Sequence, residues 1–152
     1  MIQDISILRL HELSHDGLAG LVAESEAAGH RFLRRLIDEW DGGTNRFCQP
    51  GEALFAAVAG GRMVGLCGLS VDPYCQDARV GRVRHLYVLR DFRRQGIATR
   101  LLDEVVAAAR GTFDRLRLRT EDESAARFYG SFGFRACSGV LACTHVLELA
   151  ES

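Results

Sequence analysis

"LYVLRDFRRQGIATRLL", residues 86–102, passes from an apolar run through a basic turn straight into a helical stripe. Arg90, Arg93, Arg94 and Gln95 crowd ahead of a lone glycine, Gly96. A helix start exposes unpaired N–H groups and the positive end of its dipole, and glycine lets another molecule approach the backbone. The guest that suits such a place is an anion, most often a phosphate. The spacing predicts a strand, turn and helix over residues 83–110, with the N–H groups of Gln95, Gly96, Ile97 and Ala98 placed to hold a pyrophosphate. Neither G-x-x-x-x-G-K-[ST] nor G-x-G-x-x-G occurs, which argues against ATP and dinucleotides.

On the N-terminal side of this unit, Ile5–Leu10 reads as a first strand, Ser14 as the cap of a helix with Leu18, Leu21 and Val22 on one side, and Phe32–Trp40 as a second helix. The run DGGTN, residues 41–45, ends that helix. "ALFAAVAGGRMVGLCGLSV", residues 53–71, reads as two strands joined at Gly60 and Gly61, with Pro73 closing the second. "ARVGRVRHLYVL", residues 78–89, is a third long strand with Gly81 as its expected bulge. Ile97, Leu101, Val105 and Ala109 then repeat at helical spacing. Beyond them come a strand at residues 115–120, a short helix within residues 121–134 that stops near Gly133, and a last strand at residues 144–150. The expectation is one α/β domain: a mixed, mostly antiparallel sheet of six or seven strands with four helices.

Composition narrows the function. Of the 152 residues, 47% are hydrophobic and 26% charged, the balance of an ordinary globular chain. No apolar run approaches the roughly 18 residues that would cross a bilayer. The start, MIQDISILRL, lacks the pattern of a secretory signal, so a cytoplasmic protein without membrane partners is expected. A net charge of −1 argues against a globally basic nucleic-acid binder, and the arginine-rich middle lacks the interleaved aromatics of an RNA site. The charge is nevertheless uneven, with seven arginines between Arg79 and Arg100 against the single acid Asp91, so anion binding is local. Cys48, Cys67, Cys75, Cys137 and Cys143 contain no C-x-x-C pair and read as buried or incidental thiols; the five histidines show no ligand spacing, so no metal is expected.

The stretch Arg93–Ala98, R-R-Q-G-I-A, resembles the Q/R-x-x-G-x-G/A signature of the GNAT superfamily of N-acetyltransferases, which cradles the coenzyme A pyrophosphate. The hairpin at residues 56–69, the strand LYV at 86–88 and "SAARFYGSFGF" at 124–134 follow in that family's order and spacing. The likeness covers residues 52–149 as a coenzyme-binding core. Residues 1–50, which share only a strand-helix-helix outline, are expected to form a variable acceptor-side region. The resemblance implies acetyl-CoA as co-substrate, held by Leu86, Tyr87 and Val88 and by Arg93, Arg94, Gln95, Gly96, Ile97, Ala98 and Thr99. It further implies that the Val88 N–H polarises the thioester carbonyl and that Tyr129 acts as an acid beside the coenzyme sulfur. Asp122 stands where many members carry asparagine; it either accepts from a pantetheine amide or serves the helix start.

Each of these residues also has a plainer reading. Arg93 and Arg94 could be solvated, and Tyr129 could pack with Phe128, Phe132 and Phe134. His85 is a candidate base for the incoming amine or a buried structural histidine. No glutamate stands on "GRVRHLYV", residues 81–88, so the proton leaves through water or an acid elsewhere. Glu24, Glu26, Asp38, Glu39 and Asp41 either attract a cationic amine or form a solvated helix face. The expected function is acetyl transfer from acetyl-CoA to a primary amine of a small molecule or peptide, by direct attack, with a homodimer as the default assembly. The alternative is a coenzyme A or acyl-CoA binding module without catalysis.

Overall fold

A computed structural model describes residues 4–149. In chain order the elements are β1 (Ile5–Arg9), α1 (His15–Ala27), α2 (Phe32–Asp41), β2 (Ala53–Ala59), β3 (Arg62–Val71), β4 (Val80–Val88), a 3-10 turn (Arg90–Phe92), α3 (Ile97–Ala109), β5 (Arg115–Leu118), α4 (Glu123–Phe132), β6 (Arg135–Ala136) and β7 (His145–Glu148). The seven strands make one sheet in the order β1-β2-β3-β4-β5-β7-β6. All neighbours are antiparallel except β4 and β5.

Local chemistry accounts for most of these boundaries. Ser14 caps α1 by accepting from the Gly17 N–H at 3.1 Å, and Leu18, Leu21 and Val22 are buried beneath it. Gly60 and Gly61 turn the β2–β3 hairpin with φ of 56° and 79°, the positive values that a two-residue connection requires. Strand β6 was not expected from the sequence. It has only two exposed residues, too few to show an alternation, and exists because β7 offers it an edge. Ala150, the expected end of the last strand, lies outside the described residues.

The parallel pairing of β4 with β5 is brief. Val80, Gly81 and Arg82 pair with Arg115, Leu116 and Arg117, after which the two strands part. The bulge expected at Gly81 is absent there, because Gly81 pairs regularly with Val71. The register shift comes further along, where Cys67 faces both His85 and Leu86, and His85 adopts a φ of 61°. Gly81 serves packing instead: a Cβ there would lie 2.8 Å from Leu116 Cδ2 and 3.0 Å from the Phe113 ring, both buried side chains. Gly81→Val is therefore expected to cost about 1–3 kcal/mol by overpacking, to be read as a lower urea midpoint.

Two glycines of β3 show how the helices are distributed. A Cβ on Gly65 would meet Leu101 and Ile97 of α3, whereas one on Gly68 would meet Phe47, which follows α2. Side chains three apart on a strand point to opposite faces, so α3 covers one face and the α2 segment the other. Glu24 of α1 reaches Tyr87, the partner of Leu66, which puts α1 on the α2 face. Leu18, Leu21, Leu33 and Leu36 fill that layer, and Ile97, Leu101, Leu102 and Val105 fill the other.

Candidate coenzyme site

Helix α3 begins without a side-chain cap. Its N-cap, Gly96, has a φ of 77°, and the first intrahelical bond runs from the Arg100 N–H to the Gly96 carbonyl at 3.0 Å. The N–H groups of Ile97, Ala98 and Thr99 are therefore left without intrahelical acceptors. Arg94 also has a left-handed backbone, φ 64°, so two such residues flank Gln95 and turn the chain sharply into the helix. A cleft of about 220 Å³ opens at this point, lined by Val88, Phe92, Arg93, Arg94, Gly96, Ile97, Ala98, Thr99 and Phe128. A larger hollow of about 420 Å³ lies beyond the other end of α3, but there Arg79 and Asp114 already pair at 2.7 Å.

The end of β4 presents its backbone to the same region. The Leu89 N–H bonds to the Val64 carbonyl at 2.8 Å, so that amide faces β3. Successive amides of a strand face opposite sides, which turns the Val88 N–H and carbonyl toward the gap that β5 has left. The Val88 carbonyl accepts from Arg93 Nε at 2.9 Å, and the Arg93 guanidinium lies 5.2 Å from the Tyr87 ring centroid. Arg93 thus ties the basic loop to the strand, while Arg94 makes no ion pair among the described residues.

The remaining candidates fall in different surroundings. Leu86 is half-buried just past the bulge, and Gln95 is exposed outside the cleft lining. The Tyr87 hydroxyl turns to the α1 side and donates to Glu24 Oε2 at 2.6 Å; the same oxygen accepts from the Arg90 N–H at 3.0 Å. Burial raises the Tyr87 pKa to about 12, with help from that carboxylate. For Glu24 burial is the largest single influence and acts the other way, but the two hydrogen bonds together with the charges of Arg93 and Arg90 outweigh it and its pKa is lowered. Asp122 caps α4, accepting from the Ser124 N–H at 3.1 Å, and is exposed.

Tyr129 is 7% exposed, with Phe128 and Phe134 each at 5.4 Å between ring centroids and His145 at 6.4 Å. Burial, seconded by the neighbouring Cys67, raises its pKa strongly, so the hydroxyl keeps its proton. Burial likewise pushes the Cys67 thiol up to about 12, which leaves it a poor nucleophile. His85 is also buried, lies edge-on to Phe47 at 6.0 Å, and has neither ring nitrogen hydrogen-bonded. Burial, with Arg84 and Arg35 nearby, lowers its pKa to about 3. An imidazole of that basicity is neutral at pH 7 and weak as a base, which weighs toward its structural reading. No group of three or more metal-ligating side chains occurs among the described residues.

Sequence reasoning did not identify Phe92, which lines the cleft, or the role of Glu24 in holding Tyr87 and the loop backbone. Phe92 sits beside the arginines that dominate the loop's pattern. Glu24 is 63 residues from Tyr87, and no local periodicity reports such a pair.

The family model for the acetyltransferase (GNAT) domain matches residues 50–136. The chain belongs to the GNAT acetyltransferase family. A candidate acetyltransferase from Exiguobacterium sp. 255-15 is 32% identical to this GNAT chain, covers 95% of it and 93% of its own length, and superposes with a TM-score of 0.83. The fold is shared with two coenzyme complexes. The GNAT family N-acetyltransferase YhbS of Escherichia coli with CoA is 16% identical, over 99% of this chain and 84% of its own, at a TM-score of 0.69. N-acetylglutamate synthase from Neisseria gonorrhoeae with coenzyme A and N-acetyl-glutamate is 19% identical at 0.73, over 99% of this chain but only 36% of its own. No curated protein matches this GNAT chain in sequence.

Proposed function

We propose that this chain transfers the acetyl group of acetyl-CoA to a primary amine by direct attack within a ternary complex. The observation that carries the reading is the uncapped start of α3, whose Ile97, Ala98 and Thr99 line one cleft together with Arg94 and Val88. Those amides and Arg94 suit a pyrophosphate, and the pantetheine arm would then lie along the gap beside β4. Acetyl-CoA supplies an activated acyl group whose leaving group is a thiolate.

In this reading the amine nitrogen bonds to the thioester carbon and charge develops on the carbonyl oxygen, where the Val88 N–H donates; one such donor is worth about 2.7–4 kcal/mol. The carbon–sulfur bond then breaks, and the departing sulfur takes the Tyr129 proton. The β4 residues on the α1–α2 face, Arg82 and Arg84, offer no carboxylate, so the amine's excess proton passes to water or to an acid from α1 or α2, where Glu24 and Glu39 stand. Reprotonation of Tyr129 from solvent completes the cycle. No covalent enzyme intermediate is needed, in keeping with the inert thiol of Cys67.

Calorimetric titration of acetyl-CoA, followed by a thiol-release screen of primary amines, tests the reading. Binding with transfer supports it, and binding without transfer to any primary amine favours a coenzyme-binding module. Absence of binding removes both. Gly96→Val should raise the coenzyme Kd about tenfold. A Cβ there meets nothing within 4 Å, so the effect comes from forcing a β-branched residue to a φ of 77° at the cradle itself. An unchanged Kd would dissociate the loop from coenzyme binding.

A further inference from the structure

Five cysteines are spread over the chain, and the fold brings two of them together away from the coenzyme cleft. Cys137 follows β6 and Cys143 precedes β7, at the two ends of a turn formed by residues 138–142. The Cys137 N–H donates to the Thr144 carbonyl at 2.9 Å, which continues the β6–β7 pairing past Ala136 and His145. Gly139 and Ala142 then take left-handed backbones, φ 77° and 53°, and the Cys143 N–H donates to the Val140 carbonyl at 3.3 Å. The turn folds back on itself, and the two sulfurs come to lie 3.0 Å apart.

This contact is held from outside the turn as well. The Ala142 carbonyl accepts from Arg82 Nη1 at 2.9 Å, the Thr144 N–H donates to the Leu118 carbonyl at 2.8 Å, and Thr144 Oγ1 accepts from the Thr120 N–H at 3.0 Å. Both neighbours of Cys143 are therefore tied to β4 or to the end of β5. The Cys143 thiol donates to the His145 carbonyl at 3.4 Å, which leaves its sulfur free to accept from Cys137. A disulfide needs sulfurs about 2.0 Å apart, so closing the pair requires a movement of about 1 Å shared by two side chains. Cys137 is half-buried and Cys143 is 7% exposed, so a small reagent reaches the pair through Cys137. No second pair of thiols is in contact among the described residues.

We propose that Cys137 and Cys143 form a reversible redox site, oxidised to a disulfide by a low-molecular-weight disulfide such as that of glutathione. The Cys137 thiolate attacks one sulfur of the reagent, whose S–S bond breaks; a first thiol leaves, and Cys137 carries the other half as a mixed disulfide. Cys143, once deprotonated, attacks the Cys137 sulfur and expels the second thiol. Two protein thiols are oxidised, one external disulfide is reduced to two thiols, and the two protons end on the departing sulfurs. Burial and the Cys137 contact raise the Cys143 pKa, which suits it to the second, intramolecular attack rather than the first. The sulfurs are already placed in the fold and dispersed in the unfolded chain, so folding favours the disulfide and the disulfide favours folding by the same factor. The bond ties β6 to the segment bearing His145, whose ring centroid lies 6.4 Å from that of Tyr129.

The test is equilibration of the purified chain with mixtures of reduced and oxidised glutathione, acid quench, alkylation of free thiols and tryptic mass mapping. Cys137 and Cys143 fall on one tryptic peptide, because no lysine or arginine follows Arg135. The disulfide is read as that peptide unalkylated and lighter by the hydrogens lost. At equal concentrations of the two forms of glutathione, the wild-type chain should hold this disulfide at least about tenfold over any mixed disulfide at Cys137, and dithiothreitol should restore both alkylated thiols. In Cys143→Ser, Cys137 should keep the glutathione that the wild-type chain expels. In urea sufficient to unfold the chain, the equilibrium constant for closing the disulfide should fall at least about tenfold, and the oxidised protein should show the higher urea midpoint. Glutathione retained on Cys137 of the wild-type chain, both cysteines recovered alkylated, or pairing of either with Cys48 or Cys75 overturns the proposal. So does an equal equilibrium in the folded and unfolded chain, which would assign the pairing to sequence spacing and not to the fold.

Discussion

Tyr129→Phe is expected to lower kcat about a hundredfold while leaving the acetyl-CoA Kd within a factor of two. General acid help contributes roughly 10²–10⁴-fold, and a thiolate leaves readily enough to put this case at the lower end. The two properties required of such an acid, a retained proton and a fixed ring, both follow from its surroundings. Burial raises the hydroxyl pKa well above its ordinary value, which retains the proton but weakens it as a donor and so also places the effect at the lower end, and Phe128, Phe134 and His145 pack around the ring. Phenylalanine keeps the shape and most of the packing, so the fold should survive. Stopped-flow measurement of the first turnover against steady-state kcat separates slow chemistry from slow product release. A variant with wild-type kcat would make Tyr129 a core residue and no more.

The second large effect concerns acid stability. His85 has a pKa of about 3 in the fold and about 6.5 when unfolded, so between those values the unfolded chain binds more protons. Stability is therefore full above pH 6.5 and falls as the pH drops toward 3, by up to about 1.4 kcal/mol per pH unit. At pH 4.5 the loss from this one group reaches about 2–3 kcal/mol. Of the groups around it, Arg84 and Arg35 oppose a positive charge and Phe47 offers no acceptor, while the Phe32 backbone acts the other way and offsets burial only in part. Urea midpoints at pH 7.5 and 4.5 should differ strongly in the wild-type chain and much less in His85→Asn, since asparagine does not titrate and tolerates the φ of 61°. Equal pH dependence in the two proteins would mean that other groups govern acid unfolding.

The same residue shows where sequence reading stopped. "GRVRHLYV" displays one glycine, and glycine is where a bulge is usually sought, yet the bulge forms at His85 and Leu86. A positive φ on histidine is held by packing from Phe47, a contact 38 positions away that no local pattern announces. The loop at residues 93–99 was legible because its chemistry is local: a turn residue, the helix it opens and the charges beside it are contiguous. The hairpin glycines and the caps of α1 and α4 were legible for the same reason. Arg93 was read as a cation for an anionic guest; its side chain in fact also secures the Val88 carbonyl, a choice set by the approach of loop and strand. The thiols of Cys137 and Cys143 read as buried or incidental, and the turn between β6 and β7 brings them within 3.0 Å of each other.

The short pairing between β4 and β5 divides the molecule in its cooperativity as well as in its shape. On one side, β1 to β4 share ladders of five to seven residues; on the other, β5, β7 and β6 have strands of four, four and two. Among the described residues the ladder that joins the two leaves has three residue pairs, flanked by the Arg79–Asp114 ion pair and the Arg82 bond to the Ala142 carbonyl. Amide exchange under native conditions should accordingly resolve two opening units, with the β5–β7–β6 leaf exchanging at a lower free energy than β2 and β3. Any molecule whose amides bridge the parted strands would stitch the units into one, so its binding would register first as slower exchange in the weaker leaf.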